Sequence, residues 1–365
     1  MMDMGNLQVQ GSLSSQLDSI TESIGPRAES RYLRTTWMLN AKVPLLLPTI
    51  SVSIRTISSD ESKKLTQEIR KRNVFMRHSW ENNFYCQRVE SLANKSVIEV
   101  LRQGDPDQII PAAQKIADLV EKIALISQIL IRNRGEIQRK LAINSHRQSI
   151  FDITIGGGNF KFLRTKIKAE KSPQGIDIDE KFGRRFQRCG FPELVIQSTL
   201  DDEVSKRLSN SIDWLFESLL EHQLSASVAK TAISLESLLI FSDTEPLGKS
   251  LSERAAFILS SNSEERKKIS KIIKDFYDIR SGVVHGNKRK QKKINPNLVE
   301  GTDRLVTLLC LKIASNITKW NSADALRRWC EEEKWGSPSK DIVIPFPNSY
   351  LKNAIKMSNQ KTGPS

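Results

Sequence analysis

The stretch VSKRLSNSIDWLFESL (204–219) decides the fold. Val204, Leu208, Ile212, Leu215, Phe216 and Leu219 recur at steps of three and four, which lays one apolar stripe along a helix of about five turns. The pattern then repeats downstream. Leu224, Val228, Ala232, Leu235 and Leu239 mark a second helix that ends before Asp243 to Gly248, and Leu251 to Leu259 mark a third. A fourth runs from Ser263 through Ile269, Ile272, Ile273, Phe276 and Tyr277. Pro296 opens a fifth, in which Val299, Leu305, Leu308, Leu309, Leu311 and Ile313 are dense enough to be buried on most sides. Helices of this length with short connections predict a helical bundle over residues 196–335 and a chain that is mainly α.

Upstream the pattern is mixed. Residues 1–30, rich in Ser, Gln and Gly, read as a flexible N-terminus. Trp37 to Ile57 is β-branched and broken by Pro44 and Pro48, which suggests short strands. Lys63 to Val100 has helical character, and Asp105-Pro106 opens a long helical stretch to about Leu141. Ile150 to Ile155 and Phe160 to Ile167 flank Gly156-Gly157-Gly158-Asn159, the mark of a β-hairpin. This Gly run lacks the Lys-Ser/Thr and following helix of a phosphate loop. Lys171 to Pro192 reads as a linker. Residues 31–195 therefore form a mixed α/β region suited to sensing or target recognition, and 336–365 form a C-terminal tail.

Composition removes several classes. The 365 residues are 38% hydrophobic and 27% charged, which fits a globular chain and excludes disordered or collagenous ones. Ala117 to Ile131, the most apolar run, is interrupted by Asp118, Glu121 and Lys122, so no membrane-spanning segment is expected. Met1 to Gln10 carries no secretory pattern, and a cytoplasmic location is expected. Cys86, Cys189, Cys310 and Cys330 are widely spaced and read as reduced, buried thiols. His78, His146 and His222 have no metal-ligand companions in sequence, so neither metal nor cofactor is expected.

The net charge of +14 favours a polyanionic partner. Residues 1–200 hold 30 basic against 21 acidic residues, whereas 201–335 hold 22 against 20. Within that balanced block, Lys288, Arg289, Lys290, Lys292 and Lys293 put five positive charges into six positions, a candidate RNA-phosphate contact. Arg70 to Arg77 with Phe75, Trp80, Phe84 and Tyr85 combines cations and aromatics, though such aromatics are more often core.

Just before the basic run stands Tyr277-Asp278-Ile279-Arg280-Ser281-Gly282-Val283-Val284-His285-Gly286. Arg72 with His78 and Arg139 with His146 show similar spacing inside helical runs without Gly. Arg280 and His285 differ, because Gly282 and Gly286 bracket a tight turn after the fourth helix. Upstream, Glu236 in SLESLL (234–239) and Arg254 in SERAAFIL (252–259) are charges on apolar helix faces that need partners. Glu236 either orients Arg280 or pairs with Arg254, and the second is the expectation. Tyr277, at helical spacing, reads as core.

The ordered triple of 234–239, 252–259 and 277–286 resembles the HEPN superfamily, in particular its ApeA-like branch, over roughly residues 200–320. The resemblance implies a helical bundle that dimerises and, in active members, cuts RNA without a metal, with Arg280 and His285 as catalytic residues. Glu236, Arg254, Asp278 and Ser281 would support them; Ser281 stands where the family often has Asn, Asp or His. It further implies a homodimer with a composite site, a regulatory trigger or antitoxin as partner, and use in antiphage defence or a toxin system. An inactive dimer that binds RNA or nucleotide as a scaffold is the alternative.

The residue chemistry suits that reaction. Attack by the RNA 2′-hydroxyl needs a base, a cation for the phosphorane and an acid for the leaving 5′ oxygen. A His titrating near neutrality serves as base or acid, and an Arg donates two parallel hydrogen bonds to non-bridging oxygens. One His cannot fill both roles in one step. A second copy supplies the other.

Overall fold

The computed structural model describes residues 29–36, 38–72, 86–87, 89–103, 106–141, 150–156, 159–165, 175–242, 244–291, 294–336 and 341–360. Of the expected flexible segment 1–30, residues 1–28 lie outside them, as do Phe75, Arg77, His78, Trp80, Phe84, Tyr85 and His146, whereas Glu29 and the buried Ser30 belong to the first strand.

In the N-terminal part, Glu29–Thr35 forms β1, Leu39–Ala41 β2, Leu45–Leu47 β3 and Val52–Thr56 β4. Ser59–Arg72 is α1 and Ser96–Gln103 is β5. Pro106–Ile126 is α2, Arg134–Leu141 is α3, and Ile150–Gly156 and Asn159–Thr165 are the hairpin strands β6 and β7. Ile176–Ile178 is β8. Six strands pair antiparallel in the order β3-β4-β5-β1-β6-β7, with Tyr32 opposite Val100 and Leu33 opposite Ile153. β2 and β8 form a separate parallel pair.

Two expectations fail here. The helical reading of Lys63 to Val100 holds over α1 but breaks at β5. Val97, Ile98 and Val100 are fully buried between β4 and β1, and a strand covered on both faces loses the alternation that would reveal it. The expected linker 171–192 contains β8 and a helix, Glu180–Arg188 (α4), capped by Asp179, which accepts from the Phe182 N–H at 2.7 Å. Phe182, Phe186 and Phe191 stack in sequence at 5.5 and 5.1 Å. The phenylalanines four residues apart among charges were the helical pattern in that stretch.

Phe191–Ser198 (α5) leads into the bundle: Glu203–Leu220 (α6), Leu224–Leu239 (α7), Leu247–Leu259 (α8), Ser263–Val284 (α9), the short Lys288–Gln291 (α10), Pro296–Ala314 (α11) and Ala323–Trp335 (α12). The chain is mainly helical, with its sheets in the N-terminal part. α11 runs through the centre against α5, α6, α7, α8 and α9. Every residue from Leu298 to Ala314 is buried, which explains why its apolar residues are not confined to one stripe.

Beyond residue 336 the chain is more than a tail. Asn348–Ser358 (α13) buries Leu351, Ala354 and Ile355 against α11. Gly301 allows this approach, since a Cβ there would stand 1.9 Å from Ser358 Oγ.

The buried charges of α11 are satisfied largely by the N-terminal part. Arg134 donates to Asp303 at 3.1 Å, and Thr231 donates to the other Asp303 oxygen at 2.6 Å. Arg304 donates to Glu300 at 2.9 Å and to the Arg132 carbonyl at 3.2 Å. Burial pushes the Asp303 carboxyl up to about 6, against the opposing pull of Arg134 and Thr231. One apolar core continues from Tyr32 in β1 through α2 and α6 to α11, so residues 31–195 and 196–335 pack together. No helix among the described residues is long and apolar enough to cross a membrane.

Candidate functional site

The predicted turn 277–286 is shorter in the structure. Phe276, Ile279 and Val283 carry the apolar face of α9 onward, so 277–284 stay helical and His285 is the C-cap. Gly286 follows in the left-handed region at φ +65°. Its N–H donates to the Val283 carbonyl at 3.2 Å, and the Asn287 N–H donates to the Gly282 carbonyl at 2.8 Å. This pair of bonds is the Schellman arrangement, which closes the last helical carbonyls and fixes where His285 stands.

Arg280 faces α7. Its Nη2 lies 3.1 Å from Glu236 Oε1, and the same oxygen accepts from the Tyr277 hydroxyl at 3.0 Å. The guanidinium also stands 5.3 Å from the centre of the Tyr277 ring. Burial, reinforced by the Glu236 charge, raises the Tyr277 phenol to about 12, so it remains a donor at neutral pH. The Arg280 side chain keeps 22% of its exposure, but its Nε is buried without a hydrogen-bond partner.

The expected pairing of Glu236 with Arg254 is overturned. Arg254, on α8, is buried and donates to the Leu239 carbonyl at 2.6 Å and to Glu245, while covering the Phe241 ring at 4.5 Å. It closes the C-terminal end of α7, and Glu245 in the intervening connection is the nearer carboxylate. Tyr277, read as core, is half-buried with its hydroxyl in the ion-pair cluster. Nothing in the sequence between 236 and 280 marks these side chains as neighbours.

Arg280 and His285 are not joined by a hydrogen bond. Five residues of helix turn the chain by about 140° beyond a full turn, so Arg280 leaves α9 toward the bundle and His285 toward solvent. His285 is exposed, as is Asp278, and Ser281 is half-buried with its carbonyl accepting the His285 N–H at 3.1 Å.

The basic run begins as α10. Arg289 is exposed, and its N–H donates to Asn287 Oδ1 at 3.1 Å. The side chains of Lys288 and Lys290 and all of Lys292 and Lys293 lie outside the described residues. Cys86, Cys189, Cys310 and Cys330 are buried and form no disulfide. Among the described residues no three His, Cys, Asp or Glu are grouped to hold a metal ion.

No family model, curated protein or solved structure matches the chain.

Proposed function

We propose that the chain is a metal-independent endoribonuclease of HEPN type, acting as a homodimer whose two-fold axis brings Arg280 and His285 of both copies to one cleft, although within one chain the two side chains leave α9 on different sides. The observation that carries this reading is the end of α9. A capped turn presents the His285 imidazole to solvent, the Arg280 side chain stays 22% exposed beside Glu236, and the basic α10 follows. A partly exposed guanidinium suits a phosphate oxygen. Glu236 and Tyr277 hold the guanidinium in place, and His285 of one copy takes the 2′-hydroxyl proton while His285 of the other protonates the 5′ oxygen.

The Glu236–Arg280 ion pair favours a second reading, a dimer that binds RNA without cutting it, because the carboxylate already occupies part of the guanidinium. One assay separates the two. Labelled single-stranded RNA in EDTA should give 2′,3′-cyclic phosphate ends with the wild type and none with Arg280→Ala. Retained cleavage by Arg280→Ala overturns the assignment of the active site to Arg280, and binding without cleavage by the wild type selects the scaffold.

A further inference from the structure

A groove of about 490 Å³ lies between α8 and α9, with Ala256 and Phe257 on one wall. Arg266, Lys267, Lys271 and Lys274 line the other, against the carboxylates of Glu253 and Asp275. Both carboxylates are already engaged: Lys334 holds Glu253 at 3.1 Å, and Lys271 reaches Asp275 within one turn of helix. Arg266 is anchored to Glu333 at 2.6 Å and lies over the Phe257 ring at 4.8 Å. Lys267 and Lys271 are each 71% exposed, in surface ion pairs of the weak, solvent-screened kind that a phosphate can replace. Lys274 is exposed and has no ion-pair partner among the described residues.

The groove does not stand alone. Lys267, Lys271, Lys274, Asp278, Ser281 and His285 follow one another on α9 at steps of four and three, so they share a single face opposite the buried Ile269, Ile273 and Phe276. The eighteen residue steps from Lys267 to His285 span about 27 Å along the helix axis. Asp278 is the carboxylate between the cations and the imidazole, and Arg289 restores positive charge beyond it.

We infer that this groove and the outward face of α9 hold the phosphate backbone of single-stranded RNA and lead it to His285, with the half-buried Phe257 ring as a wall for an unpaired base. Charge complementarity selects the occupant: the cations are exposed and spaced along a line, as a flexible polyanion requires, and an aromatic wall suits unstacked bases. The inference rests on the ribonuclease reading only for the end of the track, since binding along the groove does not require cleavage.

The test uses a 2′-O-methyl oligouridine, which cannot be cut through its 2′ oxygen, with affinity measured by fluorescence anisotropy from 50 to 200 mM KCl. Lys271→Glu/Lys274→Glu should bind at least tenfold more weakly than the wild type. Its salt slope should fall by about 1.4, from two lost single-strand phosphate contacts. Lys63→Glu/Lys64→Glu on α1 makes the same charge change far along the chain and should bind close to wild type. Equal losses in both double variants, or no wild-type binding, overturn the track. So does a change in oligomeric state by light scattering with affinity kept, which would make the groove a contact between two copies. Failure of the nuclease reading shows separately, as no cleavage of unmodified RNA by a wild type that still binds the methylated strand.

Discussion

The centre of α11 and the end of α9 both carry charge on a helix of the same bundle, and they treat it in opposite ways. On α11, Glu300, Asp303 and Arg304 are buried, and beside the Glu300–Arg304 pair within the helix they take Arg134, Thr231 and the Arg132 carbonyl from other elements. On the outward face of α9, Lys267, Lys271, Lys274 and His285 are exposed, and the ion pairs they do make lie within the same helix. The buried pair of Arg134 with Asp303 joins the N-terminal part to α11, whereas the charge along α9 stays exposed. Substitutions at the first should therefore change stability, and at the second activity.

The largest effect expected on the α9 side is that of His285→Ala. Loss of a general acid-base group should reduce RNA cleavage about 10²- to 10⁴-fold, read as initial rates, with no change in thermal melting. A comparable fall in melting temperature would make His285 a structural cap and erase the contrast.

On the α11 side, Arg134→Met leaves Asp303 buried without its cation, which should cost about 3–5 kcal/mol in urea unfolding. A neutral result would mean that the ion pair does not join the two parts.

Asp303 sharpens the same point through pH. Its folded value, about 6, lies above the ordinary 3.8, so its contribution to stability is complete below about pH 4 and is lost as pH rises through 6. The stability advantage of the wild type over Asp303→Asn should fall by on the order of 3 kcal/mol between pH 4 and 7. A pH-independent difference would place the Asp303 carboxyl at its ordinary value.

The smallest effect is at the turn itself. A Cβ at Gly286 meets nothing within 4 Å, so Gly286→Ala carries only the left-handed backbone penalty, about 1 kcal/mol by the same unfolding measurement. A much larger loss would mean that the turn is packed against a partner.

The helices of the bundle are legible in the sequence because each buries one stripe at helical spacing, as Val204 to Leu219 shows. β5 is not, since Val97, Ile98, Val100 and Leu101 surround the ion-paired Glu99 without a period, and its assignment as a strand comes from β1 and β4 on either side. α13 is hidden by its short apolar face, whose meaning depends on Gly301 in α11. At the site, Arg280, His285 and the Gly286 turn can be read from local spacing and backbone chemistry. The Glu236–Arg280 pair cannot, because packing of α7 on α9 brings together residues 44 positions apart, and Arg254 finds Glu245 instead. The step-four, step-three row from Lys267 to His285 was present in the sequence, but only the exposure of that face gives it meaning.

The most direct test of the account is a DNA oligonucleotide carrying one ribonucleotide, incubated with the wild type in EDTA. The account predicts a single cut immediately 3′ of that ribonucleotide, leaving a 2′,3′-cyclic phosphate, and no cut when its 2′-hydroxyl is methylated. Cleavage at the methylated position, or at the deoxynucleotides, would contradict attack by the 2′-hydroxyl and with it the roles given to Arg280 and His285.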